Sequence, residues 1–259
     1  MARVLSGVAL AIATLAAILF LPLIGLRLLA VAVALLATRE FIAIARQMNV
    51  SPPALMAYPL AAGGCWYAAM PGGSEFAAGM PIAVLALLMV FVLFRNATLA
   101  DAGVAALAPV YIGLPLGTLA AVRALGGAEA TVLLIFTIVV SDTAQYYTGR
   151  MFGRHPLAPT VSPKKTVEGA VGGLLFGTAT MIAGGRVVFT QARATMLAAM
   201  GLAVVVLGIT GDLFESKLKR SAAMKDSSAL IPGHGGILDR IDALLFASPA
   251  FYVFLHRIM

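Results

Sequence analysis

What most limits the folds open to this chain is a succession of long stretches without one charged residue: 4–26, 47–74, 76–94, 102–122, 169–185 and 194–211. Each reaches or approaches the roughly 20 residues that carry a helix across the hydrocarbon core of a bilayer. A soluble helical protein with these stretches would have to bury almost every helix on all faces. Hydrophobic residues make up 61% of the chain and charged residues 11%, where an ordinary soluble domain has about a quarter charged. The chain therefore reads as all-α, a polytopic integral membrane protein.

Helical spans are expected near 4–21, 24–46, 54–70, 80–95, 103–122, 130–150, 168–189, 195–218 and 237–257, giving about nine membrane helices with Pro and Gly punctuating the connections. The first apolar run follows Arg3 and imitates a secretory signal. No small-residue cleavage site leads from it into a polar region, and 28–38 is apolar again, so a retained first helix is expected. One integrated membrane domain is expected, with hydrophobic helices over 1–129 and a catalytic part over 130–259. The single cysteine, Cys65, lies beside Trp66 in an apolar segment; it reads as core and cannot form an internal disulfide or a thiolate metal cluster.

The net charge of +7 does not point to nucleic acid, because no soluble basic face exists to hold it. In a polytopic protein such charge marks the cytoplasmic side and anionic ligands or lipids. With a cytoplasmic N-terminus, thirteen Lys and Arg fall on that side and five on the other. The same topology puts two charged clusters, 142–168 and 212–242, on one face, where a nucleotide would be available.

The second cluster is the denser. Of 29 charged residues in the chain, ten lie within 212–242. Asp239 and Asp242 are spaced i, i+3, as are Asp212 and Glu215, so each pair shares a helix face, and Lys219 falls one turn beyond Glu215. Such carboxylates suit Mg²⁺, which is held by one or two carboxylates together with substrate phosphates. Mere pairing with Lys217, Arg220 and Arg240 is the bland alternative, but membrane spans rarely keep several carboxylates without function. Between the pairs lies Pro232-Gly233-His234-Gly235-Gly236. Glycines let backbone approach a ligand closely, and N–H groups at a helix start favour an anion. His234 suits a phosphate contact, acid/base work or a loop hydrogen bond, and its role stays open.

In the first cluster Asp142 follows an apolar run and is an intramembrane carboxylate, a functional candidate by default. Lys164 and Lys165, with Arg150 and Arg154, form a basic patch suited to a triphosphate or an acidic lipid head group. A topogenic loop would account for those charges, though not for Ser141-Asp142-Thr143 or Ser162-Pro163. Arg39-Glu40, at the end of the second span, reads as an interfacial pair rather than part of the site.

The run Ser216-Lys217-Leu218-Lys219-Arg220, then Lys225-Asp226, then Pro232 to Asp242 resembles the signature of the phosphatidate cytidylyltransferases, or CDP-diacylglycerol synthases. The segment Ser141-Asp142-Thr143 through Gly149-Arg150, Phe152 to His155 and Ser162 to Gly169 is similar to the same family, so the likeness covers roughly the C-terminal half. Ala243 stands where Ser commonly follows the final Asp, and Ala144-Gln145 where Gly-Ala is frequent; neither removes a charged group.

The resemblance implies transfer of CMP from CTP to phosphatidate, giving CDP-diacylglycerol and pyrophosphate, in a compact bacterial protein of the inner membrane with its site facing the cytoplasm. It implies Mg²⁺ on Asp212, Asp239 and Asp242, with room for a second cation, and a catalytic role for Lys225. Asp142, Lys164, Lys165, Ser216, Lys219, Arg220, Arg240 and the turn of Gly233, His234, Gly235 and Gly236 are the substrate-binding set it implies, with membrane lipids as surroundings and a homodimer as assembly. Two rivals remain at this point. A CTP-using polyprenol kinase would transfer the γ-phosphoryl group instead, and a transporter would use Asp142 and Asp212 as ion sites, though the inverted symmetry common in transporters is not evident.

Overall fold

The computed structural model describes residues 2–70, 89, 97–231 and 235–258. Its helices in chain order are α1 (Ala2–Phe20), α2 (Leu23–Gln47), α3 (Ala54–Ala68), α4 (Leu99–Ala108), a π-helical turn at Pro109–Gly113, α5 (Leu114–Phe152), α6 (Val167–Val188), α7 (Ala194–Ser221) and α8 (Leu238–Ile258). Among the described residues, five helical segments are long and apolar enough to cross a membrane: Leu23–Gln47, Leu99–Phe152, Val167–Val188, Ala194–Ser221 and Leu238–Ile258. The all-α membrane architecture expected from the sequence is what the chain adopts.

The nine expected spans are not recovered one for one among the described residues. The span at 80–95 lies, apart from Met89, outside them. Those at 103–122 and 130–150 fall in one helical run of 54 residues. Straight, such a run would extend about 80 Å at 1.5 Å per residue, far beyond a hydrocarbon core of about 30 Å. Gly127 breaks it, with φ 77° and ψ −176°, a left-handed backbone that a residue with a Cβ adopts only under strain. The break falls between the two spans expected at 103–122 and 130–150, in the stretch Arg123 to Glu129 that carries Gly126-Gly127.

Helix ends follow local chemistry. α2 starts after Pro22 and closes before Asn49, whose φ of 59° is tolerated by a short amide side chain. α4 starts with a capping box: Asp101 N donates to Thr98 Oγ1 at 3.2 Å, and Thr98 N to Asp101 Oδ2 at 2.8 Å. Asp101 Oδ1 also accepts from Ser51 N at 2.5 Å, fixing the α2–α3 connection to this cap. At the start of α6, Gly169 N donates to Thr166 Oγ1 at 3.1 Å.

Between α5 and α6 the chain makes a hairpin that the sequence reading did not foresee. Strands β1 (Pro156–Ala158) and β2 (Ser162–Thr166) pair antiparallel, with Pro156 opposite Thr166 and Ala158 opposite Ser162. β2 is the polar run Ser-Pro-Lys-Lys-Thr, which has no alternation of apolar and polar residues to signal a strand.

Lipid is as apolar as the side chains it meets, so membrane helices are held by close packing more than by hydrophobic exclusion. α6 shows this directly. A Cβ at Gly173 would lie 2.5 Å from Gln145 Cγ, and one at Gly169 2.8 Å from the Gln145 carbonyl oxygen. Small residues on that stripe bring α6 onto α5, while Leu175 and Phe176 remain exposed. The buried core divides in two. One part gathers Phe41, Ile44, Tyr111, Ile112, Leu238 and Leu245 from α2, the π turn and α8; the other gathers Leu134, Met181, Met200, Phe251 and Leu255 from α5 to α8. α8 belongs to both and carries its charged N-terminal end between them.

Candidate functional site

The two charged clusters meet. Lys165, at the end of the hairpin, pairs with Asp212 on α7, and Arg220 Nε donates to the Val161 carbonyl at 3.3 Å. The C-terminal ends of α5 and α7, the N-terminal end of α8 and the hairpin therefore form one composite site, as the sequence led us to expect. The carboxylates brought together nevertheless divide into two groups with different surroundings.

The inner group is buried and heavily bonded, with Glu215 Oε1 its one buried oxygen that has no hydrogen-bond partner among the described residues. Lys219 Nζ bridges Glu215 Oε2 at 2.6 Å and Asp239 Oδ1 at 2.5 Å, and the side chains of Glu215 and Asp239 are only 1% and 6% exposed. Asp239 Oδ2 accepts from Ser227 N at 3.0 Å, Ser227 Oγ at 2.9 Å and Gly236 N at 2.7 Å. Lys219 was expected to meet phosphate; in the structure its ammonium is the internal counter-ion of two carboxylates. Removing one member of such a cluster would strand a charge in a low-dielectric interior.

Glu40 of α2 completes this group, and the sequence reading missed it. It is 4% exposed. Its Oε1 accepts from Ser228 Oγ at 2.6 Å and Ile237 N at 3.0 Å; its Oε2 accepts from Ser227 Oγ at 2.9 Å and Leu238 N at 2.8 Å. The helix start was expected to favour an external anion. Here the N–H groups of Gly236, Ile237 and Leu238 are taken by the protein's own Asp239 and Glu40. The glycine has the same cause: a Cβ at Gly236 would run into the Glu40 carboxylate and Ser227 Oγ. Gly235 has φ 79°, and its carbonyl accepts from Ile231 N at 2.9 Å, closing the turn. Gly233 and His234 lie outside the described residues. A signal for Glu40 existed in the sequence: it is an acid at the end of an apolar span, which is functional by default.

The outer group is less committed. Asp142 on α5, Asp212 on α7 and Asp242 on α8 lie within electrostatic reach of one another. Asp142 Oδ1 accepts from Gln145 Nε2 at 2.9 Å, and Asp242 Oδ1 accepts from Ala243 N at 2.8 Å. Ser216 Oγ donates to Asp212 Oδ1 at 3.3 Å. Among the described residues no hydrogen bond reaches Oδ2 of Asp142 or Asp242, so oxygen lone pairs remain open on both. α7 and α8 come close enough here that a Cβ at Gly211 would meet the Asp242 carbonyl oxygen.

No three His, Cys, Asp or Glu side chains among the described residues are gathered into a metal cage. A Mg²⁺ ion needs no such cage when substrate phosphates supply ligands. Hard oxygens on Asp142 and Asp242 fit that requirement better than Asp239, whose oxygens already serve Lys219, Ser227 and Gly236; Asp212, between them, is held by Lys165 and Ser216 and is one-third exposed.

The same segments of chain carry cations without internal duties: Lys164 beside Lys165 on the hairpin, Lys225 after α7, and Arg240 next to Asp239 on α8. Lys164, Lys225 and Arg240 are exposed and enter none of the ion pairs among the described residues. Arg220 is only lightly held, by the carbonyls of Val161 and Met224, both at 3.3 Å. Beside them the hairpin is fastened to α6 by Glu168, which accepts from Arg154 N at 3.0 Å and pairs with His155 Nδ1 at 2.6 Å. Open carboxylates and uncommitted cations on the same chain segments can gather metal and phosphate together, which suits a reaction between two anions.

Comparison with known proteins agrees in kind. Residues 1–258 match the pattern described as the Cytidylyltransferase family. A Bacillus subtilis protein named phosphatidate cytidylyltransferase is 33% identical over 267 residues, covering 98% of this chain and 96% of that protein. A Haemophilus influenzae protein of the same name is 43% identical over 129 residues, covering 47% of this chain and 44% of that protein. An Escherichia coli protein named uncharacterized protein YnbB is 40% identical over 131 residues, covering 50% of this chain and 43% of that protein. The match thus spans less than half the length of the last two relatives.

Proposed function

The chain belongs to the cytidylyltransferase family, and from that premise we propose that it transfers CMP from CTP to phosphatidate. Its bacterial relatives and its membrane-length helices make it a bacterial integral membrane protein; the inner membrane, with the site toward the cytoplasm, is the location proposed. A phosphate oxygen of the lipid attacks the α-phosphorus of CTP, a new P–O bond forms, the bond from that phosphorus to the β-phosphate oxygen breaks, and pyrophosphate leaves. CDP-diacylglycerol remains in the bilayer. The observation that carries this reading is the gathering of Asp142, Asp212 and Asp242 from three helices, with oxygens open on Asp142 and Asp242 and Lys165 paired to Asp212.

Both reactants are anionic, so the problem is repulsion and alignment rather than the lack of a nucleophile. Lys164, Lys225, Arg220 and Arg240 attract and orient the phosphates. Lys165, held by Asp212, places a further positive charge beside the acidic group. Ser216 orients the Asp212 carboxylate. Asp142, Asp212 and Asp242 would hold Mg²⁺ against the nucleotide, and the ion would offset charge developing on the transferred phosphoryl group. Asp239, held by Lys219, Ser227 and Gly236, keeps the start of α8 in place so that Asp242 faces the acidic group.

The test is incubation of purified protein in detergent micelles with CTP labelled at the α-phosphate, phosphatidate and Mg²⁺. Label in a CDP-lipid, with release of pyrophosphate, is expected. Lipid phosphate and free CDP would instead assign γ-phosphoryl transfer.

A further inference from the structure

We infer that Glu40 is a positioning residue for nucleotide binding: a carboxylate from the N-terminal half that ties Ser227 and Ser228 to the start of α8 at Ile237 and Leu238, as the site requires. The inference rests on the proposed cytidylyltransferase activity. Glu40 sits on α2, 187 residues from Ser227 and 198 from Leu238 in sequence. Its two oxygens face four donor groups, two hydroxyls and two backbone N–H groups, all from the segment that leads into α8; Ser227 Oγ shares its one hydrogen between Glu40 and Asp239. No other side chain among the described residues ties the N-terminal half to this segment by so many hydrogen bonds.

Position and chemistry together explain why a carboxylate is needed there. Ile237 N and Leu238 N can only donate, and they point to different oxygens of Glu40. A carboxylate accepts at both; a carboxamide accepts at one and faces the other N–H with its own hydrogens. The start of α8 also carries the positive end of the helix dipole, which a buried negative charge complements. Ser227 Oγ lies within 2.9 Å of both Glu40 Oε2 and Asp239 Oδ2, so the chain of contacts runs Glu40, Ser227, Asp239, Lys219, Glu215. Loosening Glu40 therefore shifts the turn at Gly235-Gly236 and the attachment of the segment carrying Lys225, without touching the hairpin or Asp142.

The experiment compares Glu40→Gln and Glu40→Asp with the parent protein, each purified in detergent and checked for a monodisperse, folded state. Two readouts are taken: steady-state kinetics with CTP and phosphatidate varied separately, and hydrogen–deuterium exchange of the peptides covering 225–240 without substrate. For Glu40→Gln the expected result is a rise of about tenfold in KM for CTP, a KM for phosphatidate within about twofold of the parent, and faster exchange confined to 225–240. Glu40→Asp, which keeps both acceptors on a shorter stem, is expected to recover part of the loss.

An unchanged KM for CTP in folded Glu40→Gln overturns the inference. So does a loss of activity that scales both KM values or only the folded fraction, because a purely structural residue would act that way. If the parent protein itself makes no CDP-lipid, the assigned activity fails instead; faster exchange confined to 225–240 in Glu40→Gln then still upholds Glu40 as the holder of that segment, and unchanged exchange there removes it.

Discussion

The carboxylates of this site come in two kinds, and their difference is instructive. Glu40, Glu215 and Asp239 are buried, and Lys219, Ser227, Ser228 and backbone N–H groups occupy every oxygen of Glu40 and Asp239 and one of Glu215. Asp142, Asp212 and Asp242 share a less crowded region, where Asp142 and Asp242 each keep an oxygen without a hydrogen bond among the described residues. A carboxylate whose partners are all internal builds architecture. One with open lone pairs is available to a ligand. Residue type and spacing do not separate the two kinds, since Asp239 and Asp242 are three residues apart on one helix.

The strongest way to break this comparison is to neutralise one member of each group. Asp242→Asn is expected to reduce turnover by about 10³-fold while leaving the thermal unfolding midpoint close to that of the parent. A variant that kept normal turnover at saturating Mg²⁺ would move Asp242 out of the reacting centre. Asp239→Asn is expected to lose activity as well, but together with stability, by about 3 kcal/mol, because Lys219 would lose one of the two carboxylates that balance it. Chemical denaturation followed alongside activity checks this; full stability with lost activity would put Asp239 among the open ligands after all.

Smaller effects sharpen the outer group. Lys225→Ala and Arg240→Ala are each expected to raise KM for CTP by about tenfold, more at low ionic strength, where exposed charges are least screened. Titrating both variants with salt checks the sign. The smallest effect is expected far from either group. Thr98→Ala removes the cap of α4 and should cost about 1 kcal/mol of stability with kinetics unchanged. A change in KM there would mean that the first core and the site are coupled more tightly than the contacts suggest.

Much of this was legible in the sequence, for reasons that residues make plain. Uncharged runs longer than a bilayer announced membrane helices, and the density of charge in 212–242 announced the site. The charge count put the clusters 142–168 and 212–242 on one face, and the pairing of Lys165 with Asp212 brings them into contact. Other features lay beyond the sequence. The hairpin at 156–166 has no strand periodicity. Helix-face spacing grouped Asp239 with Asp242, but spacing says nothing about which oxygens neighbouring backbone will claim. Glu40 is the clearest case. Beside Arg39 it reads as an interfacial pair, because its four partners lie in a segment nearly two hundred residues away, and only the fold brings them together.

The central claim is that the open carboxylates and free cations serve transfer of CMP to a lipid phosphate. The most direct measurement is product analysis with α-labelled CTP, phosphatidate and Mg²⁺, run on the parent protein and on Asp242→Asn. The account predicts labelled CDP-diacylglycerol and an equal amount of pyrophosphate from the parent and almost none from the variant. Lipid phosphate with CDP, or equal yields of CDP-diacylglycerol from both proteins, would contradict it.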